Sequence, residues 1–249
     1  YRKRKLSMTD QMFKRDNIKT FRFVSCDFNA DTGLASLAYA FDDGAELVET
    51  VQFPGAPFAL NEQQKSASAQ ALKLLHLIAG VSYYKAAVPP EIKIESSTID
   101  AGTAEFLQMI YENGLGEFAY RNGLNLHGKI KFPHSSVAQA CAGIAGLKQH
   151  ALVAIGGGKD SLVSIEALRA SGINQTVTWI GSSPLIKACA ERTGLPLLNI
   201  ERKLPTALFE MNKQGALNGH IPVTAVNSAI LVMAAILNHS NQVVFSNER

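Results

Sequence analysis

The residues whose types and spacing point most clearly to chemistry lie in a glycine-rich turn. Five apolar residues, 151–155, are typical of a short strand buried on both faces, and three glycines follow at 156–158. Lys159, Asp160 and Ser161 then begin a run with helical spacing. Glycines let backbone N–H groups converge, and a helix start adds unpaired donors and a positive dipole end. A lysine there is unfavourable unless an anion binds, so the pattern predicts a phosphate site.

Two common phosphate loops do not fit this turn. The Walker pattern requires Ser or Thr directly after the lysine, where the chain has Asp160. The dinucleotide pattern requires a third glycine at position 161, which is Ser161. Residues 157–161, Gly-Gly-Lys-Asp-Ser, resemble the pyrophosphate loop of the ATP pyrophosphatases, with Gly156 in place of its leading serine. The alternative is a glycine-rich strand-to-helix turn without a ligand.

The resemblance implies ATP as the bound nucleotide and Mg²⁺ as its metal. We expect the pyrophosphate to be held by the backbone N–H groups of Gly156, Gly157 and Gly158. Lys159 would offer a positive charge to the same phosphates. Asp160 is the predicted metal-side carboxylate, because Mg²⁺ is usually held by one or two carboxylates together with phosphate oxygens.

Strands and helices alternate from the glycine turn onward. The predicted strands are 151–155, 176–180, 195–200 and 242–245, and the predicted helices are 159–171 and 184–193. This alternation predicts a parallel sheet with helices on both faces, which binds ligands at the carboxyl ends of its strands. Trp179, Gly181 and Asn247 follow or end such strands and are therefore predicted ATP-binding residues, although a lone aromatic residue that ends a buried strand, as Trp179 does, is more often part of the core. Ser161 is either a phosphate donor or the helix cap.

The first part of the chain has a different pattern. Period-two alternation predicts three antiparallel strands, and later segments predict two helices and a short strand. The predicted elements are strands 21–28, 34–41 and 47–53, helix 62–79 with Asn61 and Gln64 as its cap pair, strand 91–95, and a helix from Asp100 to a stop at Gly114. In the last helix, Phe106, Met109 and Ile110 are expected to face inward. A connection with an alanine-rich helix within 137–147 should follow.

The predicted fold class is α/β. It comprises a basic tail at 1–20, an N-terminal α+β module at 21–149, and a doubly wound parallel-sheet domain at 150–249. The second domain resembles the adenine nucleotide alpha hydrolase-like ATP-binding domains. We expect it to be incomplete, because the chain stops directly after its last predicted strand.

Composition narrows the classes of partner. The net charge of +3 is small and scattered, so no nucleic acid partner is expected, and the longest apolar run is far too short for a membrane helix. The three cysteines form no CxxC pair and are interpreted as reduced thiols. With no signal peptide recognised, we expect a cytoplasmic protein. Its oligomeric state is not predicted.

The resemblance extends beyond the loop, from about residue 21 to residue 249. The chain is similar to the ATP-dependent epimerases that act on UDP-N-acetylmuramoyl-L-alanyl-L-glutamate in bacterial wall synthesis. The similarity rests on Gly-Val-Ser-Tyr-Tyr-Lys at 80–85, Ile-Gly-Gly-Gly-Lys-Asp-Ser at 155–161 and Gly-His-Ile-Pro-Val-Thr at 219–224. Membership would imply cleavage of ATP to AMP and pyrophosphate, Mg²⁺, a UDP-muramoyl dipeptide substrate, and inversion of its terminal L-glutamate.

Epimerisation also needs groups that remove and return the α-proton. We take Asp160, Lys159, His220 and Lys85 as the catalytic candidates, the last two for proton transfer. The residues that stay open as alternatives are Tyr83 and Tyr84 beside Lys85, the loop histidines His127 and His134, and Cys26. His76 is interpreted as a packed surface or core histidine, whereas His150 and His239 are expected to be solvated.

Two other classes of function remain open. One is a different adenylating enzyme, an amidating ligase or a tRNA-modifying enzyme. The ligase would need a source of ammonia, and a thiolating enzyme would usually have paired cysteines. The other is a non-catalytic nucleotide sensor, in which Lys159 and Asp160 would have no obvious task.

Overall fold

The computed structural model describes residues 13–137, 143–144 and 146–246. Eight strands in this part form one mixed sheet, in the order β4-β1-β2-β3-β7-β6-β5-β8. The strands are β1 Thr20–Asn29, β2 Leu34–Phe41, β3 Leu47–Gln52, β4 Glu91–Ile94, β5 Lys148–Ala154, β6 Gln175–Ile180, β7 Leu197–Lys203 and β8 Ser240–Val244. The helices are α1 Glu62–Ala79, α2 Val81–Tyr84, α3 Ala101–Gly114, α4 Gly116–Arg121, α5 Lys159–Ala170, α6 Pro184–Arg192, α7 Thr206–Lys213 and α8 Val223–Leu237, after a 3₁₀ turn at Arg15–Asn17. The α/β class is confirmed.

Strands β1, β2 and β3 form the predicted antiparallel meander, and β4 pairs with β1 in parallel. Alternate residues of each strand point to the same face, and the inward ones are large and apolar. Phe21, Phe23 and Tyr39 are fully buried and pack their rings against one another. The meander therefore contributes one face of the main hydrophobic core.

Strands β7, β6, β5 and β8 are all parallel, which confirms the alternation predicted after residue 150. Side chains of β5 alternate between two cores: Leu152 belongs to the main core, and Ala151 and Val153 belong to a smaller core with Ile165 of α5. Helices therefore cover both faces of this part of the sheet. The more specific prediction of a doubly wound ATP-binding domain stays a prediction.

Helix α1 has the predicted bounds and cap. Asn61 Oδ1 accepts from the backbone N–H of Gln64 at 2.9 Å, and Gln64 Oε1 accepts from that of Asn61 at 3.0 Å. Gly80 ends the helix as predicted, but it keeps a right-handed helical conformation. A side chain at Gly80 would collide with the ring of Phe23, so close packing requires the glycine.

Helix α8 is not among the predicted elements. In the sequence, its nine-residue apolar run is considered only as a possible membrane helix, for which it is too short. It packs against α1 on one face of the sheet and fills much of the main core. The two helices are antiparallel: Gln64 near the start of α1 donates to Nδ1 of His239 just after α8, and Lys85 just after α2 bonds to Asn218 just before α8. No helix within the described ranges is long and apolar enough to cross a membrane.

One prediction about the middle of the chain is wrong, and another lies mostly outside the described residues. Phe106 and Met109 do not face inward, since they are 43% and 54% exposed; Leu107 and Tyr111 are the buried residues, so the apolar stripe of α3 is rotated by about one position. The alanine-rich helix falls mostly on 138–142 and 145, which lie outside the described residues, and 143–144 and 146–147 are not helical. Helices α4 and α7 are also missing from the predicted elements.

The two predicted modules share the sheet, because β3 pairs antiparallel with β7. A buried ion pair lies at this junction. Arg202 donates through Nε and Nη2 to the carboxylate of Glu49, at 2.6 and 3.1 Å, and the two side chains are 12% and 0% exposed. Tyr83 also donates to Glu49 at 2.9 Å, and Arg202 donates to Ser82 Oγ at 3.0 Å. These contacts connect two strands with α2. The division at 149/150 stays a prediction.

We predict that Glu49→Gln lowers the free energy of unfolding by about 3–5 kcal/mol, because it leaves the guanidinium of Arg202 buried without a counter-charge. Urea denaturation would measure the loss. The matched control is Glu95→Gln, which removes the partner of Arg22 from an exposed two-bond pair. That change should cost about 1 kcal/mol or less. Equal losses in the two variants would contradict the structural role of the buried pair.

Candidate functional site

The glycine turn lies at the carboxyl edge of the parallel strands. From the pairing directions, β1, β3 and β4 run opposite to β5–β8, so the starts of β1 and β4 lie toward the same edge. Helix α8 leads into β8 and therefore begins at this edge. The glycine turn, the segment 85–90 before β4 and the segment 214–222 before α8 are consequently all on one side of the molecule.

The glycine turn is open toward that side. Gly157 has a φ of +80°, in the left-handed region that favours glycine. A Cβ atom added to Gly156 or Gly158 would meet no other atom within 4 Å. The backbone at these two positions is thus accessible to a ligand, as the close approach of a phosphate requires.

Lys159 and Asp160 occupy the first turn of α5. Within the described part of the chain, neither side chain makes a hydrogen bond or ion pair. Ser161 is buried, and its hydroxyl donates to the carbonyl of Gly158 at 3.0 Å. Gly158 is the N-cap residue, so the helix-cap alternative for Ser161 is wrong. Its role toward a phosphate stays a prediction.

Strand order places the turn at a topological switch point. From β5 the chain proceeds to β6 and β7 on one side and reaches β8 on the other side. Ligands of open α/β sheets bind in the crevice where such a reversal occurs. The exit of β8 is tied to α5, since the hydroxyls of Ser164 and Ser246 are 2.7 Å apart. Asn247, the predicted nucleotide contact after this strand, lies outside the described residues.

Trp179 and Gly181 come from the neighbouring strand β6. The ring of Trp179 is nearly fully buried in the smaller core, and its indole N–H has no hydrogen-bond partner in the described residues. Gly181 follows the strand with a φ of +103°, and a side chain there would meet nothing within 4 Å. The backbone at Gly181 is therefore accessible, as it is in the glycine turn. Trp179 is instead a core residue, which was the alternative interpretation of this position.

The residues of the turn fit a nucleotide with its metal. Accessible backbone at Gly156 and Gly158, an exposed ammonium at Lys159 and a carboxylate at Asp160 supply the groups that phosphates and Mg²⁺ bind. Among the described residues, no group of three or more His, Cys, Asp or Glu side chains could hold a metal ion by itself. A Mg²⁺ ion at Asp160 would therefore depend on phosphate oxygens for most of its ligands.

The structure connects Lys85 with the loop that contains His220. Lys85 is 8% exposed, and its Nζ donates to Asn218 Oδ1 at 2.5 Å. Asn218 precedes His220, which is exposed, by two residues. Burial lowers the pKa of Lys85, because it disfavours the charged ammonium form. Asn218 is absent from the sequence predictions; its position in a Gly- and Pro-containing segment directly before α8 is the only sequence signal that could have indicated it.

Three alternative proton carriers are poorly suited to the task. Tyr83 donates to Glu49, Tyr84 donates to the carbonyl of Pro89, and burial raises the pKa of both phenols. Cys26 lies near the carboxyl end of β1, at the opposite edge of the sheet, and burial raises the pKa of its thiol. Each of these groups therefore holds its proton more tightly than an ordinary side chain of its type.

Three of the remaining histidines pack within the fold, and two are exposed. His76 is a core residue, as interpreted: its Nε2 donates to the carbonyl of Ala38, and burial lowers its pKa to about 4. His150 and His239 were expected to be solvated, but they are half-buried and bond to Thr176 and Gln64 respectively. The side chain of His150 connects β5 with β6, and that of His239 connects the end of α8 with the start of α1. His127 and His134 are exposed, and His127 lies 3.7 Å from a carboxylate oxygen of Glu112.

Comparison with known proteins decides the family. The family described as the MurL N-terminal domain matches residues 12–249. The chain belongs to this family. No solved structure matches it.

Three curated relatives of this MurL N-terminal domain chain carry the same name, UDP-N-acetyl-alpha-D-muramoyl-L-alanyl-L-glutamate epimerase. The protein of Xanthomonas oryzae pv. oryzae is 68% identical over 237 residues, which are 95% of this chain and 52% of the relative. Those of Salinispora tropica and Micromonospora sp. are 36% and 37% identical over 97% of this chain, and 53% and 54% of their own lengths. The chain thus spans about half the length of the curated relatives it matches.

We predict that Gly157→Ala lowers the free energy of unfolding by about 1–2 kcal/mol, because an alanine is strained at a φ of +80°. Gly156→Ala is the matched control and should leave stability nearly unchanged, since its backbone has no positive φ and its side chain would meet open space. Urea denaturation of both variants would measure the difference. If the two alanines cost the same, the left-handed conformation of the turn is not what the sequence requires.

Proposed function

We propose that the chain is part of an ATP- and Mg²⁺-dependent epimerase that inverts the terminal L-glutamate of UDP-N-acetylmuramoyl-L-alanyl-L-glutamate. The observation that carries the proposal is 68% identity, over 95% of the chain, to a protein with that epimerase name. The reaction would serve peptidoglycan precursor synthesis in the cytoplasm. The pyrophosphate-loop residues supply the ATP-binding part of the proposal.

The chemistry explains why such an epimerase would need ATP. Racemases of free amino acids can use the amine, as a Schiff base for example, to make the α-proton acidic. In a peptide-terminal glutamate this nitrogen is an amide, so that route is closed. The α-carboxylate is itself an anion, and removing the neighbouring proton would add more negative charge. Joining the carboxylate to AMP, with pyrophosphate as the leaving group, converts it into a mixed anhydride whose carbonyl can take the charge as an enolate.

The glycine turn would bind and orient the reacting phosphates. The backbone N–H groups around Gly156–Gly158 would donate to the oxygens on which charge develops as pyrophosphate leaves, and the start of α5 would add its dipole. Lys159 would neutralise the same charge. Asp160 would hold Mg²⁺, which supplies Lewis-acid stabilisation of the phosphates. The absence of protein partners for both side chains in the described part supports their assignment to a ligand.

Lys85 and His220 would exchange the α-proton. Lys85 is buried, and this burial lowers its pKa, which favours the neutral amine that a base requires. Its hydrogen bond to Asn218 fixes its direction and connects it with the loop that contains His220. A base on one side of the substrate and an acid on the other would invert the carbon, and water would then release AMP and the D-epimer.

We predict that Asp160→Asn lowers the turnover number by at least about 100-fold while folding is retained, because the substitution removes the charge that faces Mg²⁺. The assay supplies ATP, Mg²⁺ and the UDP-muramoyl dipeptide, and measures AMP, pyrophosphate and D-glutamate after hydrolysis of the product. The matched control is Asp31→Asn, an exposed aspartate in the turn between β1 and β2, at the opposite edge of the sheet.

Near-normal turnover of Asp160→Asn would show that the metal is held elsewhere. ADP and inorganic phosphate as products would contradict the adenylation chemistry as a whole. Formation of an amide or thioester instead of D-glutamate would move the chain to the ligases or to the thiolating enzymes.

A further inference from the structure

Besides the glycine turn, an open cavity lies near Lys85, at the carboxyl edge of the parallel strands. One wall is the segment 87–90 between α2 and β4, and the other is formed by residues 122–131 after α4. We call it the Pro89 groove. Its volume is about 770 Å³, within the range of roughly 300–1,000 Å³ that small-molecule sites occupy. Leu217 also lines it, next to Asn218, so the groove adjoins the loop of the predicted proton-transfer groups.

The charged residues that line the Pro89 groove are mostly cations. Lys129 and Lys131 alternate with the buried Ile130 and Phe132, and both lysine side chains are exposed. Neither lysine forms an ion pair within the part of the chain that the structure describes. Two neighbouring cations without counter-charges favour a ligand with closely spaced negative charges.

The acidic groups near the groove are already engaged. Asp16, which lines it, pairs with the neighbouring Arg15 at 2.8 Å. Glu112 lies behind the wall, where it accepts from the backbone N–H of Gly128 at 3.0 Å and approaches His127. Neither carboxylate therefore neutralises the two lysines through an ion pair.

The opposite wall contains a strained residue. Val88 has a φ of +50°, which is a rare conformation for a β-branched side chain. Its backbone N–H donates to the carbonyl of Tyr84 at 2.9 Å and closes the turn that follows α2, where a left-handed residue is usually glycine. The valine side chain lines the groove beside Pro89 and Pro90. Because strained residues of this kind concentrate at ligand sites, the wall is consistent with an apolar contact to a bound molecule.

We propose that the Pro89 groove binds the nucleoside diphosphate end of the sugar-nucleotide substrate. Lys129 and Lys131 contact the diphosphate, and the apolar wall around Val88 packs against the nucleoside. The peptide end of the substrate then extends toward Lys85 and the loop of His220. The inference rests on the proposed function for the identity of the nucleotide. The polyphosphate of ATP has the same chemistry, and the test distinguishes the two sources.

The test uses the whole chain and UDP as the probe, with binding measured by titration calorimetry. The double variant Lys129→Gln/Lys131→Gln should weaken UDP binding at least about tenfold, since each lysine contributes a charge-assisted contact. Binding of a non-hydrolysable ATP analogue should be unchanged. Lys65→Gln/Lys73→Gln is the matched control: it removes the same charge from another cavity, of about 410 Å³, that also contains Cys26. It should leave both ligands unaffected.

Three results would overturn the inference. The first is an equal affinity for UDP in the Lys129/Lys131 variant and the unmodified chain. The second is a loss of UDP binding in the Lys65/Lys73 variant. The third is a Lys129/Lys131 variant that loses binding of the ATP analogue but keeps binding of UDP. Measurements of epimerase activity distinguish a failure of this inference from a failure of the proposed function. Epimerisation with an unchanged KM in the Lys129/Lys131 variant contradicts the groove. Lysine-dependent UDP binding, together with no epimerisation by a protein of the relatives' full length that contains this chain, supports the groove and contradicts the proposed function.

Discussion

The architecture depends on the buried ion pair between Glu49 and Arg202. Strands β3 and β7 meet only over a short antiparallel stretch, and this pair lies beside it with no water-exposed carboxylate. Burying two charges is costly unless their hydrogen bonds are satisfied, and here Tyr83 and Ser82 complete the set. Both of these residues belong to α2. The same contacts therefore hold the meander to the parallel strands and fix the helix that Lys85 follows.

That junction places the candidate site residues at one edge of the sheet. Because β3 and β7 are antiparallel, the amino ends of β1 and β4 lie toward the edge where β5, β6 and β8 end. The glycine turn, the segment with Lys85 and the Pro89 groove are thereby arranged along one side of a continuous sheet. In the proposed reaction, ATP must reach the terminal carboxylate of a large sugar-nucleotide substrate, and this arrangement would let both molecules bind along one edge.

Local sequence patterns predicted most of the helices and strands. The features that they did not predict depend on contacts between residues far apart in the sequence. The bounds of α1 followed from its cap pair and apolar spacing, and the parallel strands followed from short apolar runs between glycines. The face of α3 was wrong because Phe106 and Met109 look like core residues, whereas α3 packs through Leu107. Glu49 could have been found: it falls between Leu47 and Val51 on the inward face of β3, where a charge requires a partner. That the partner is Arg202, 153 residues later, could not be predicted from any local pattern.

Solvent isotope incorporation tests the central claim most directly. The UDP-muramoyl dipeptide is incubated with the protein in D₂O, with ATP and Mg²⁺, and the glutamate of the product is analysed by mass spectrometry and NMR. Inversion by proton abstraction at an activated glutamate predicts one deuterium at the α-carbon of the D-epimer, and none in reactions without ATP. D-glutamate that forms without solvent deuterium, or label that appears equally without ATP, would contradict the account.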